Sequence, residues 1–476
     1  MVTVAEAKSE VSTVKELRIQ NHVDLPFDPL LLKSMAEYNF ALLITRNWFE
    51  YDEGRKPLPG IVTSWTFNSE KGTYSFSISK DAKWSDGTQI TAADLKFNLD
   101  RAIHLKTSYG QSIASLVDLS TYKEISSAEF QIATRDKKPS TSFFERMGSV
   151  FLSIVNPKDV DPSTLKVKSN QRSAGTFVIQ SSDEVATVMV PNRYFPPGKN
   201  TADRILLGHK ANAFDIDRFL DGKSWENLSQ FTSFVPASWE QKIKKNKLPY
   251  WTRGHDRISL FRPGYGPRAE RGRQVIKAIN SVFCDYKEKT KLPFNVVRSY
   301  SLQPESYPLH HEKVACGNSK FPAEKIKILA TEIPAFDFHK EILNDFFNSK
   351  GVEVTWDVLP FPKYVEALGK TENHDIIFLN FGVADPEPAT WMSLIRDAKF
   401  VSFDAKDLKE FESVLKIESK SESISRFKEL LKDTMKKGGY APLYFGSTLA
   451  LGHKGLSFKQ MRELDETVNL SKVIFE

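Results

Sequence analysis

Two carboxylates on one loop, Asp385 and Glu387, come nearest by type and spacing to an acid–base pair. A hydrolase would use one as acid and the other as base. No nucleophile stands at a fixed spacing beside them, so a loop that meets a ligand accounts for them better. His310-His311, five residues before Cys316, have the donor types of a metal site, but the polar run around them reads more simply as an exposed loop. Gly264-Tyr265-Gly266 lacks the third glycine of a dinucleotide turn. The chain has no Walker-type phosphate loop, no His-Glu-x-x-His and no Gly-x-Ser-x-Gly. Binding remains the better chemistry. With 34 Phe, 14 Tyr and 8 Trp, most aromatics must fill cores, but a few at strand ends and in loops would suit the rigid walls of a pocket. Those are Tyr38, Phe40, Tyr109, Tyr265, Phe381 and Trp391.

The elements that must hold these residues alternate between strand and helix, which favours a mixed α/β class. Residues 16–20 read as a first strand, and a helix is expected near 31–44. The run 73–79 alternates apolar and polar as a half-buried strand does. Asp86-Gly87 is a turn signal. Thr91-Ala92-Ala93-Asp94 has the spacing of a helix capping box. Strands follow at 175–180 and 186–190. After the loop 262–267 a helix is expected from 274, and 287–324, which holds four prolines, reads as a long loop. A second α/β set comprises strands at 326–329 and 352–358, a helix at 340–350 capped by Gly351, and a helix from 362. Asp375-Ile376-Ile377-Phe378-Leu379 is almost wholly apolar, the mark of a central strand buried on both faces. The loop 382–390 leaves its carboxyl end, where open α/β sheets bind ligands.

The chain has 476 residues, enough for two to four domains, and its 40% hydrophobic and 26% charged content is that of a globular protein. Lys and Arg exceed Asp and Glu by 66 to 60, and the basic residues are scattered, so nothing points to nucleic acid. No apolar run is long enough for a membrane-spanning helix. Cys284 and Cys316 suit one disulfide in an oxidising compartment or two thiols in a reducing one. Residues 1–7 show neither the basic nor the apolar region of a secretory leader, which leaves a cytoplasmic chain or a trimmed one.

The run 59–102 resembles the signature of the peptide/nickel class of extracytoplasmic solute-binding proteins, the oligopeptide- and dipeptide-binding receptors of ABC importers. Its centre is Lys83-Trp84-Ser85-Asp86-Gly87-Thr88, followed by Thr91-x-x-Asp94 and Phe97. Further similar segments follow in order: Ser173–Phe177, Pro191–Phe195, Arg271–Val275, Asp375–Trp391 and Ala441–Tyr444. Together they span roughly residues 14–460.

The resemblance implies a two-lobed periplasmic-binding-protein fold with an extra α/β domain inserted in the first lobe. Residues 14–48, 171–256 and 439–476 would build the first lobe, 49–170 the inserted domain and 257–438 the second lobe. A small solute, a short peptide before others, would be trapped by hinge closure and delivered to a membrane permease. A sugar, a metal chelate or an opine-like compound is the alternative ligand, and sensing without transport the alternative role. No cofactor, metal or catalysis is implied, and the receptor would be an exported monomer. Tyr38, Asn39 and Phe40 match a ligand-touching segment of peptide-binding relatives. Tyr109 lies in a loop resembling one that closes over the pocket, and the Arg262–Gly266 loop, with Tyr265, would face the ligand. Aligned without a gap, Phe381 and Trp391 take aromatic ligand-loop positions and the peptide-anchoring acid falls on Ala384. A one-residue slip gives that role to Asp385. In an exported protein Cys284 and Cys316 could pair, closing a loop of about 33 residues.

Overall fold

The computed structural model describes residues 14–476 apart from 21–22, 33–34, 53–55, 210–214, 232–236, 254–256, 290–291, 293–295, 304–308, 312–316, 318, 332–335, 369–372, 383–394, 396–400, 415–416, 418 and 462–468. The chain forms two compact units. Unit 1 takes residues 1–229, 248–250 and 451–476; unit 2 takes 230–247 and 251–450.

Unit 1 holds two four-stranded sheets. In the first, Glu16–Gln20 pairs in parallel with Arg204–Gly208, and Ala186–Pro191 and Phe177–Ser182 complete it in antiparallel order. The second is an antiparallel sheet of Val62–Asn68, Thr73–Ile78, Glu129–Thr134 and Val117–Ser126. Its core is aromatic: Trp48, Phe49, Phe76, Phe130 and Phe143 are buried together with Leu95 and Leu99 of the helix Ala92–His104. The alternation at 73–78 does place Tyr74, Phe76 and Ile78 inward. The capping box forms as the spacing predicts: Asp94 N donates to Thr91 Oγ1, and Thr91 N donates to the Asp94 carboxylate.

The signature run folds as a closed turn ahead of that helix. Trp84 N donates to Thr88 O, Gly87 N donates to Trp84 O, and Asp86 Oδ1 accepts from Thr88 N and Oγ1. Gly87 sits at φ +90°, and a Cβ there would meet the Tyr194 hydroxyl at 2.5 Å, so glycine is required twice over. Ser85 and Ser173 exchange bonds, Ser85 N to Ser173 O at 2.8 Å and Ser173 N to Ser85 Oγ at 3.0 Å. Arg172 reaches both Asp86 and Asp159. Deeper in the unit, Arg101, only 1% exposed, is paired with Asp28 and donates to Leu165 O.

Unit 2 is built on a six-stranded mixed sheet ordered Val296–Arg298, Ala441–Gly446, Arg257–Pro263, Ile376–Gly382, Lys325–Thr331, Glu353–Leu359. The last three strands are parallel, and Arg257–Pro263 runs antiparallel to Ile376–Gly382. Helices Ala269–Lys289 and Phe336–Ser349 cover one face through Val275, Ile279, Leu343 and Phe346. Helices Ala405–Val414 and Lys420–Lys436 cover the other through Phe411, Phe427 and Leu431. This double cover explains the continuous apolar run 376–379.

Three expectations change. The helix expected from 274 starts at Ala269, because its apolar face begins a turn later than its backbone. The loop expected over 287–324 contains the edge strand Val296–Arg298. The strand Ala441–Gly446 pairs with Arg257–Pro263, so the chain stays in unit 2 past 438 and re-enters unit 1 after 450.

Candidate functional site

The candidate site is the edge of the unit 2 sheet where its parallel strands end. There the apolar strand Ile376–Gly382 turns polar at Asn380. Asn380 Nδ2 donates to Ser259 Oγ at 2.8 Å, and Arg257 Nη1 donates to Asn380 Oδ1 at 3.4 Å. Ser259 is completely buried, so its hydroxyl needs such a partner. The Asn380 amide thus links a buried hydroxyl to a guanidinium at the sheet edge, where Arg257 stands opposite Gly382. His339, on the helix after Lys325–Thr331, is buried with its ring 5.2 Å from Phe378. Burial holds its pKa down to about 3, so its ring stays neutral near pH 7. The edge therefore carries the Arg257 guanidinium and the Asn380 amide, group types that can hold a carboxylate or amide carbonyls.

Phe381 lies on this edge, half-buried against the core that includes Leu379. Ala384, Asp385 and Trp391, from the loop that follows, lie outside the described residues. Arg262 and Tyr265 do not join Phe381: the register pairs Arg262 with Ile377, four strand positions from Phe381, at the opposite end of the strand. At roughly 3.4 Å per residue this is about 14 Å. Arg262 is instead a buried cation. Its guanidinium carbon is 4.3 Å from the Tyr265 ring centroid, and Nη1 donates to Pro263 O at 3.4 Å. Burial lowers its pKa, and Tyr265 and Tyr364 partly offset the shift.

In unit 1, Tyr38, Asn39 and Phe40 lie on the helix Met35–Ile44. Phe40 is fully buried with its ring 5.2 Å from Phe27, a core position, and Asn39 is buried beside it in sequence. Tyr38 is half-buried, 6.3 Å from the Phe151 ring. Tyr109 is on the helix Ser108–Leu116 rather than in a loop, and its side chain lies outside the described residues. The next residue, Gly110, allows that helix to approach the preceding one: a Cβ there would stand 1.9 Å from Ala102 O.

The histidine pair is not the exposed loop its sequence suggests. His311 is buried with Nε2 3.1 Å from the Tyr440 hydroxyl, and His310 Nδ1 is 3.0 Å from Gln303 O. Among the described residues no group of three or more His, Cys, Asp or Glu side chains is placed to hold a metal ion. Nor is any helix among them long and apolar enough to cross a membrane. Arg257, Ser259 and Asn380 are the residues the sequence reading passed over. Part of their signal was there: Asn380 is the lone polar side chain in the apolar run 376–381, and a polar group in such a strand needs a partner. Cys316 and the side chain of Cys284 lie outside the described residues.

Residues 56–211 match the model of the bacterial extracellular solute-binding proteins, family 5 Middle. That match covers about a third of the chain. Solved structures of binding proteins align with 96–98% of the chain at 13–16% identity. Its match to the periplasmic oligopeptide-binding protein OppA of Escherichia coli is 32% identical over 81 residues, 17% of this chain and 15% of the relative. Its match to the dipeptide-binding protein DppE of Bacillus subtilis is 22% identical over 258 residues, 50% of this chain and 46% of the relative. The matched stretches thus span less than half of these relatives' length. The structure of the Escherichia coli murein tripeptide binding protein MppA aligns with a TM-score of 0.75 and 16% identity, covering 97% of this chain and 98% of that one. NikA from Brucella suis, in complex with Fe(III)-EDTA, aligns with a TM-score of 0.76 and 13% identity, covering 97% and 100%. The chain therefore has the two-lobed periplasmic-binding-protein fold of these structures. One of these neighbours is named for a tripeptide and the other holds a metal chelate, so the fold alone does not choose a ligand.

Proposed function

We propose that this chain belongs to the family-5 extracellular solute-binding proteins and is an extracytoplasmic receptor that captures a short peptide and delivers it to the permease of an ABC-type importer. The observation that carries this reading is the family match over 56–211 joined to a fold match along nearly the whole chain. The names of the sequence relatives, oligopeptide- and dipeptide-binding proteins, favour a peptide over a chelate or sugar. The protein acts as a monomer and releases its ligand unchanged: Ser259, the hydroxyl at the candidate site, is buried and tied to Asn380 rather than to a base. Unit 1 would supply the first lobe and the inserted domain 49–170, and unit 2 the second lobe.

In this reading Arg257, Asn380 and the loop after Gly382 hold the peptide. Asp385 pairs with its amino terminus, because a buried ammonium requires an opposite charge. Native mass spectrometry of the protein purified without refolding, followed by identification of what denaturation releases, tests the proposal. A ladder of short peptides supports it. A single non-peptide mass would keep the receptor and replace the ligand class. Calorimetry then tests the anchor: Asp385→Ala should weaken free-amino peptides by about 2–5 kcal/mol. Unchanged binding would remove Asp385 from the role and favour the register that places Ala384 there.

A further inference from the structure

Arg262 lies near the end of the strand Arg257–Pro263 of unit 2, and only 2% of it is exposed. Leu260, two residues before it, and Ile377, its register partner, both belong to the core covered by helices Ala405–Val414 and Lys420–Lys436. Side chains two apart on a strand share a face, so Arg262 enters that apolar layer. Arginine is too basic for burial to neutralise, so the group stays charged there. A buried charge needs an opposite charge or a full set of hydrogen bonds.

Among the described residues Arg262 has neither. Its Nε has no hydrogen-bond partner, and Nη1 donates only to Pro263 O, at 3.4 Å. That is long for such a bond. The groups that act on its charge are two phenols, Tyr265 and Tyr364, and no carboxylate. Tyr265 offers its ring, 4.3 Å from the guanidinium carbon, and the Tyr364 hydroxyl is taken up by Phe378 O at 2.7 Å. Two buried acids of unit 2 are committed elsewhere. Asp375, next to the register partner of Pro263, is held by Arg268 and Arg271 and accepts from Lys327 N at 2.8 Å. Asp407, on one of the covering helices, is held by Lys437 and by Thr434 Oγ1. Arg262 is therefore a surplus positive charge in this layer.

We propose that a bound halide ion, chloride in ordinary solution, supplies the missing counter-charge against the Nε edge of Arg262. The charge balance selects the ligand class. One guanidinium neutralises one negative charge, whereas a divalent oxyanion would leave a surplus of the opposite sign. An oxyanion also presents several directed acceptors that each need a donor. A halide accepts from any direction, so the Nε–H in apolar surroundings suits it. The site binds the folded chain and not the unfolded one, so it contributes stability only when the anion is present.

Thermal midpoints of the full chain test this at fixed ionic strength, with chloride or bromide replacing gluconate. The expected result is a saturable rise of roughly 2–5 °C from a tenth of to ten times the half-saturating concentration. Arg262→Met, which keeps an apolar chain of similar reach and removes the charge, should show no such dependence. Equal midpoints in chloride and gluconate for the unsubstituted chain, or the same rise in the variant, would overturn the proposal. Should the variant fail to fold, crystals of the unsubstituted protein soaked in sodium bromide decide by anomalous diffraction. A bromide peak against Arg262 Nε supports the site. Peaks at exposed side chains alone would mean an adventitious ion only and would overturn it. No peptide enters these measurements, so their failure leaves the receptor reading standing.

Discussion

The turn Lys83–Thr88 in unit 1 and the carboxyl edge of the sheet in unit 2 are both polar clusters at strand ends, but they use polarity differently. In the turn, Asp86 answers Thr88 and Arg172, Ser85 answers Ser173, and the bonds close the chain on itself. At the edge, Ser259 is satisfied by Asn380, which leads outward to Arg257 beside the start of the loop at 383. The first cluster positions a sheet and a helix. The second presents groups to whatever arrives. The segment 83–88 is therefore a framework.

This contrast predicts that unit 1 substitutions change stability without changing affinity, and edge substitutions the reverse. The largest effect should come from Arg101→Ala, which strands the buried Asp28 carboxylate. It should cost about 3–5 kcal/mol in urea unfolding. Peptide affinity of the protein that stays folded should be unchanged, and a matching loss of affinity would break the contrast. Asn380→Ala removes the link to Arg257 and should weaken peptide binding about tenfold, or ~1.4 kcal/mol, read by calorimetry. Thr91→Ala deletes the helix cap and should lower stability by about 1 kcal/mol with affinity intact.

The smallest effect is a pH slope. His339 has its pKa lowered from 6.5 to about 3 by burial, so the unfolded chain binds one more proton between those values. Its contribution is present above pH 6.5 and is lost as pH falls towards 3. His339→Gln should flatten the unfolding free energy over that window by up to one proton.

Much of the local structure was legible. The Thr91 cap, the alternating strand Thr73–Ile78 and the left-handed Gly351 at φ +71° each depend on residues within a few positions. The strand Val296–Arg298 was not legible, because three residues carry no periodicity and it exists only by pairing with Tyr444–Gly446. The end of the sheet at which Arg262 stands was not legible for a related reason: only the antiparallel register shows it.

The sequence by itself determined the α/β class and most helix and strand positions, since caps, turns and alternation are local chemistry. Tertiary structure alone decided that Arg101 meets Asp28, 73 residues away, and that Asn380 meets Ser259, 121 residues away. A buried polar group must find a partner, but residue type does not say where in the chain that partner is. Sheet order and register bring them together, and these depend on how the whole core packs.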